Sequence, residues 1–349
     1  MDTGADLARR YDEQVVAPLV RGRWPGLPYA TARLGSGSDV LGLDDPTSRD
    51  HDWGLRLTLL VDEPMVEAVD ALLDAELPAT FDGLPTRFAT TWAPHGPHQV
   101  EVAAPGAFVT SRLGVDATRP LSVADWLALT GQAVLEVTAG PVFTDTDGRL
   151  TAARERLARY PEDVWRYVVA TDWVRLGQEL PFVGRTGDRG DDLGSRVVAA
   201  RLVRVAMHLG FLLECRWPPY AKWFGTLFAQ LPRAGALAPA LRATLAAEDW
   251  RAREAAICRA VEGLHALQAE VGLPVAESAL GPFWGRPYRG VGPVPEAVTA
   301  SVVDPEVRAL PLGVGSVEQW VDDVDVLMDP DRRVAAARAV VVPAWDGVS

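Results

Sequence analysis

Lysine is almost missing from this chain. Of 34 basic residues among 349, 33 are arginine and one, Lys222, is lysine. Cysteine is nearly absent as well: Cys215 and Cys258 stand alone, in no CxxC or Cys/His arrangement. That leaves no thiolate metal motif and no disulfide framework, and it fits a reducing compartment. No apolar run approaches the roughly 20 residues that a membrane span requires. The opening MDTGADLARRYDEQ is charged and has no apolar core, unlike a signal peptide. The expectation is a cytoplasmic protein without membrane contact. Positive charge is outweighed by negative, with a net charge of −13 and a pI near 4.9. A polynucleotide binder needs clustered Lys and Arg, so a polynucleotide is not an expected partner. A single nucleotide held in a local basic pocket remains compatible.

What is present describes a globular protein with 48% hydrophobic and 23% charged residues. The length suffices for two domains. Residues 6–20 place Leu7, Tyr11, Val15 and Leu19 at helical spacing. YATARL (29–34) reads as a strand, and HDWGLRLTLLV (51–61) as a second, central one. Residues 64–77 read as a helix with Pro64 in its first turn. TRFATTW (86–92) and HQVEVAA (98–104) read as two strands around a turn. Beyond about residue 118 the pattern turns helical: 122–137, 161–180, 193–216 and 241–271, with a last helix opened by a Ser316/Gln319 capping box. The expected fold class is α+β, a mixed-sheet domain over 1–118 followed by a helical domain over 119–349.

The stretch GSGSDVLGLDDPTSRDHDWG (35–54) carries the chemistry. Gly35, Ser36, Gly37 and Ser38 form a loop of the kind whose backbone N–H groups cradle phosphate. Asp50 and Asp52 are two residues apart, so on a strand they share a face, with heads roughly 6–7 Å apart. At an effective dielectric near 20 their repulsion is about 2–3 kcal/mol. One reading places a divalent cation between them, since hard oxygen ligands suit Mg²⁺ shared with phosphates. The other leaves both acids solvated beside Arg49 and Arg56.

Gly-Ser, about a dozen residues, then D-x-D entering a strand resembles the polymerase-β-type nucleotidyltransferase superfamily. ARLGSGSDVLGLDDPTSRDHDWG, EVTAGPVFTDTDGRL, YPEDVWRYVVA, DDLGSRVVAARL, PPYAKWFGTLF and RPYRGVG together resemble the bacterial domain-of-unknown-function family 4037, from about residue 33 to 292. The resemblance implies a nucleotidyltransferase-type sheet domain with an appended helical region. It implies that Gly37 and Ser38 hold a triphosphate and that Asp50 and Asp52 bind Mg²⁺ or Mn²⁺. Glu101 in HQVEVAA stands where that superfamily commonly has a third acid, an Asp.

The helical half adds residues with two readings each. Lys222, behind Pro218-Pro219 and Tyr220, is either a contact to the β- or γ-phosphate or a surface lysine. Arg201, Arg204 and His208 share a helix face at i, i+3, i+7 and either clamp phosphate or form a solvated stripe. Glu136 is a general base or a plain helix-end carboxylate. Asp191 and Asp192 read as N-cap and first-turn acid, and His95 and His98 as turn residues. The implied reaction moves a nucleoside monophosphate from a nucleoside triphosphate to a hydroxyl of a small molecule or protein. The rival expectation is a non-catalytic nucleotide sensor or antitoxin-like interaction module on the same fold.

Overall fold

Backbone hydrogen bonding organises the first third of the chain around one short central strand. The computed structural model describes residues 3–45, 53–90 and 95–341. Two compact units emerge, one of residues 1–121 with 133–158, the other of 122–132 with 159–349.

The first unit opens with α1 (Gly4–Tyr11), whose N-terminus is closed by Thr3 and Asp6 in a reciprocal capping box. A π-helical turn, Asp12–Val16, leads into α2 (Ala17–Arg23). Strands β1 (Ala30–Ala32) and β2 (Leu57–Leu60) pair antiparallel, with Thr31 opposite Leu59. α3 (Val66–Glu76) follows, then a small hairpin of β3 (Thr80–Phe81) and β4 (Leu84–Pro85). β5 (Val100–Ala103) pairs parallel to β2 and runs into α4 (Pro105–Leu113). After α5 (Val123–Ala128) of the second unit comes α6 (Gly131–Thr138). β6 (Val142–Asp145) and α7 (Arg149–Arg156) complete the first unit. The sheet order is β5-β2-β1-β6. β2 is therefore interior, which explains its unbroken burial and apolar run. Leu7, Tyr11, Val20, Leu57, Leu59, Val69 and Leu73 fill the core between sheet and helices.

The expected strand over 51–61 begins only at Leu57, because residues 53–56 form a bend with Gly54 against the Phe88 ring. The expected strand over 86–92 shrinks to one bridge, Arg87 to His98, among the described residues. Thr86 explains part of this, since its N–H and hydroxyl donate to Ala79 and Pro78 carbonyls instead of to a ladder. The helix expected over 122–137 breaks at Leu129 and Thr130.

The second unit is helical. α8 (Glu162–Gly187) and α9 (Asp192–Leu213) pack on each other and on a later helix spanning Trp250–Glu270. α10 (Ala221–Ala229) and α11 (Ala238–Ala246) precede that helix, α12. Several of its core polar groups are paired: Trp173 donates to Gln268 Oε1 at 2.6 Å, and the fully buried Arg253 donates to Ser195 Oγ, Asp192 Oδ1 and the Ala247 carbonyl. Asp191 caps α9 through Gly194 N–H, and Asp192 pairs with Arg196, as their positions suggest. A hairpin, β7 (Leu280–Phe283) with β8 (Arg286–Val291), packs on α8 and α12. Short helices α13 (Val294–Thr299), α14 (Pro305–Arg308), α15 (Val317–Trp320) and α16 (Val324–Leu327) lead to α17 (Pro330–Val341). The Ser316/Gln319 capping box is present but opens only the four residues of α15. Among the described residues no helix is long and apolar enough to cross a membrane. Cys215 and Cys258 are free thiols.

Candidate functional site

Where β1 ends, the chain turns sharply through Gly35–Ser38. Arg33 is buried and its guanidinium clamps Asp39 with two hydrogen bonds of 2.6 and 2.9 Å. It also donates to the carbonyls of Leu34 and Ser36, at 2.5 and 3.0 Å. Arg56 adds a second donor to the Ser36 carbonyl at 3.0 Å and reaches the Ser36 hydroxyl at 3.3 Å. The Ser36 carbonyl oxygen is thus shared by two guanidiniums, while the Ser38 carbonyl accepts from the N–H groups of Leu41 and Leu43. Gly35 N–H donates to the Glu136 carbonyl at 2.7 Å, whereas the N–H groups of Ser36, Gly37 and Ser38 take no part in holding the loop. Successive unpaired N–H groups in a glycine-containing turn are the raw material of an anion-binding nest. Gly37 has φ +139, and a Cβ there would run into Asp39 Oδ1 and Arg33 Nη2. Only glycine fits. Gly140 matters for the same reason, because its Cβ would strike the Arg33 carbonyl oxygen.

Glu101 sits on β5 in register with Thr58 of β2. Both of its carboxylate oxygens accept from Arg112 Nη2, at 2.8 and 2.6 Å. Arg112 Nε lies 3.7 Å from Glu136 Oε2, and its guanidinium lies 3.4 Å from where a Cβ on Gly35 would stand. The Phe108 ring supports the guanidinium from one side, 5.0 Å away. Arg112 therefore gathers the Gly-Ser loop, Glu101 and Glu136 into one place. It carries no signal in sequence, being one arginine among 33 at the end of an ordinary helix. Asp50 and Asp52 lie outside the described residues.

A second group in the first unit can hold a metal ion. Asp70 and Asp74 of α3 and His98 bring ligand atoms within 4.8 Å of one another. His98 Nε2 is 3.3 Å from Asp70 Oδ1 and 3.8 Å from Asp74 Oδ1. His98 is thus more than a turn residue, and α3 supplies the partners its sequence neighbours lack. Arg87 already donates to Asp74 Oδ1 at 2.8 Å. Its mixed nitrogen and oxygen donors suit a transition metal better than Mg²⁺.

In the second unit the stripe Arg201, Arg204, His208 separates by depth. Arg201 pairs with Glu179 at 2.6 Å, and Arg204 is exposed. His208 is buried, with Nδ1 2.6 Å from Asp172 Oδ2. Burial works against its positive charge, but Asp172 and then Glu318 more than offset this and lift the imidazole to about 9. Asp172 is also held by Gln319 at 2.8 Å and approached by Arg175 at 3.7 Å. Tyr220 and Arg204 line a cavity of about 360 Å³ with His208. Lys222 is exposed, its ammonium 4.9 Å over the Trp223 ring.

The fold and these groups define a mixed α+β protein with a four-stranded sheet and a helical C-terminal region. The family model described as Domain of unknown function (DUF4037) matches residues 126–224, a stretch inside the span of resembling segments that excludes the Gly-Ser loop. No curated protein matches the chain. Among solved structures, a nucleotidyltransferase-like protein from Exiguobacterium sibiricum 255-15 is similar at 14% identity, over 75% of this chain and 74% of that one, with a TM-score of 0.33.

Proposed function

We propose that the first unit binds the phosphates of a nucleoside triphosphate at Gly35–Ser38 and supports transfer of the nucleoside monophosphate to a hydroxyl of a small molecule or protein. The observation that carries this reading is the loop itself. Its Ser36 carbonyl is held by Arg33 and Arg56, while the N–H groups of Ser36, Gly37 and Ser38, which have no partner among the described residues, would be available to an anion. Asp50 and Asp52 would hold Mg²⁺ or Mn²⁺, which when bound would neutralise charge on the transferred phosphoryl group. Glu101, beside the loop, would take the acceptor proton or join the metal once Arg112 releases it, and Glu136 offers that guanidinium a second carboxylate. In the second unit, taken by itself, Tyr220, Arg204 and Lys222 are proposed as nucleotide-binding residues.

One observation favours a binding module without turnover: Glu101 already spends both oxygens on Arg112. The two readings separate in one experiment. Calorimetric titration with the four ribonucleoside triphosphates, with and without Mg²⁺, reports binding, and pyrophosphate release with a pool of hydroxyl acceptors reports transfer. Metal-dependent binding that disappears in Asp52→Asn supports the site. Binding without pyrophosphate release selects the sensor reading, and absence of binding removes both.

A further inference from the structure

The cavity in the helical unit has a floor that is chemically incomplete. His208 and Glu318 both line it, and both are about nine-tenths buried. His208 Nε2 and Glu318 Oε1 face each other at 3.5 Å, too long for a strong hydrogen bond, and neither has another partner among the described residues. Their other atoms are engaged: Nδ1 faces Asp172, and Oε2 accepts from Gly131 N–H at 2.8 Å. Buried polar atoms are rarely left unmatched, because each such group costs the desolvation that water would have repaid. Here one atom is a donor and the other an acceptor, side by side. A hydroxyl completes both, accepting from the imidazolium and donating to the carboxylate.

The walls and mouth narrow the ligand further. Val203, Phe224 and Met328 give apolar wall. Among the described residues Arg175 makes one ion pair, with Asp172 at 3.7 Å, a carboxylate already shared with His208 and Gln319. Arg204 sits beside it, close enough for the two guanidiniums to repel, and makes no ion pair among the described residues. Two acids oppose these cations: the exposed Asp322, which also lines the cavity, and Glu179, which acts on Arg175 and is paired with Arg201. The volume of about 360 Å³ falls in the lower range of small-molecule sites.

We propose that this cavity binds a small hydroxylated organic anion, with its hydroxyl between His208 Nε2 and Glu318 Oε1, its apolar body along Phe224, and its phosphate or carboxylate at Arg175 and Arg204. The site belongs to the helical unit alone and does not depend on transfer chemistry. Two sources share this chemistry, a nucleotide and a hydroxylated aromatic acid, and the test separates them. The full-length protein is titrated calorimetrically with adenosine monophosphate and with 4-hydroxybenzoate. Each is compared with a counterpart lacking hydroxyls (the dideoxy monophosphate, benzoate) and one lacking the anion (adenosine, phenol). Ala200→Phe, at an exposed lining position, fills the mouth without touching the floor, and Arg204→Met removes one cation. The expected result is that at least one probe binds tenfold or more tighter than both counterparts, and loses tenfold or more in each folded variant. The proposal is overturned if neither probe binds, if the hydroxyl and the anion are dispensable, or if Ala200→Phe binds undiminished.

Discussion

Arg112 holds both carboxylate oxygens of Glu101, so the residue proposed as third acid is already paired with a guanidinium. Arg112→Met frees it. The half-exposed pair contributes about 1 kcal/mol or less, so the variant folds with a small fall in melting temperature. If Glu101 ligates the metal, Mg²⁺-dependent triphosphate binding tightens several-fold in a calorimetric titration. Weaker binding would instead assign the guanidinium to the phosphates, and no change would remove Glu101 from the site.

Gly37→Ala places a methyl group against Asp39 and Arg33 at a positive φ. The expected cost is on the order of 1–3 kcal/mol from backbone strain, together with loss of triphosphate binding as the loop opens. Gly42→Ala is the control, since it also has positive φ (+68) but open space around it. It should cost stability and leave binding intact. Denaturant midpoints and binding constants for both variants decide the matter.

Asp12 is buried beneath β1, where burial lifts its carboxyl to about 6 against one hydrogen bond from Thr31. A raised acid stabilises the fold below its unfolded value near 3.8, and that stabilisation is lost as pH rises through about 6. At pH 8 the wild type therefore carries a buried charge that Asp12→Asn does not. The variant should be more stable by roughly 1–2 kcal/mol at pH 8 and no more stable at pH 4. Urea unfolding at the two pH values measures the difference.

His208 runs the same way in the other unit. Its imidazole is raised from 6.5 to about 9, so its stabilisation is complete below about 6.5 and is lost as pH rises through about 9. Unfolding free energy should fall between pH 7 and pH 10 by an amount on the order of 2–3 kcal/mol from this group. In Asp172→Asn the slope should flatten, because the carboxylate that chiefly raises the imidazole is gone. An unchanged slope would show that other groups set the alkaline limit.

Lys222 tests its own place in the proposal. If its ammonium meets the β,γ-phosphates, Lys222→Met weakens triphosphate binding about ten- to a hundred-fold and barely alters monophosphate binding. Equal losses on both ligands, or none, return it to the surface beside Trp223.

Helices are the most legible part of the chain: the apolar spacing of 193–216 marks α9 within three residues at each end, and that of 161–180 marks the start of α8, which runs on past Pro181 to Gly187. β6 has no strand signal of its own, because VFTD lies among turn residues and gains strand character only by pairing with β1. The glycines of the loop are visible in sequence, but not the reason for them, which is the Arg33 clamp on Asp39. Arg112 was invisible because its partners, Glu101 and Glu136, lie 11 and 24 residues away and meet only after the sheet forms. His208 looked like part of a basic stripe until its depth in the unit and the carboxylate of Asp172 changed what surrounds it.

The return of residues 133–158 to the first unit sets an order on biosynthesis. β6 covers the edge of β1, yet it leaves the ribosome only after residues 122–132, which belong to the other unit. A nascent chain that has reached 118 holds three of the four strands of this sheet and an open edge on β1, the condition in which sheets recruit foreign strands. Neither unit can be closed one after the other as a separate bead. Truncation at 118 should therefore yield insoluble protein, while a chain extended past 158 has the strand that seals the edge.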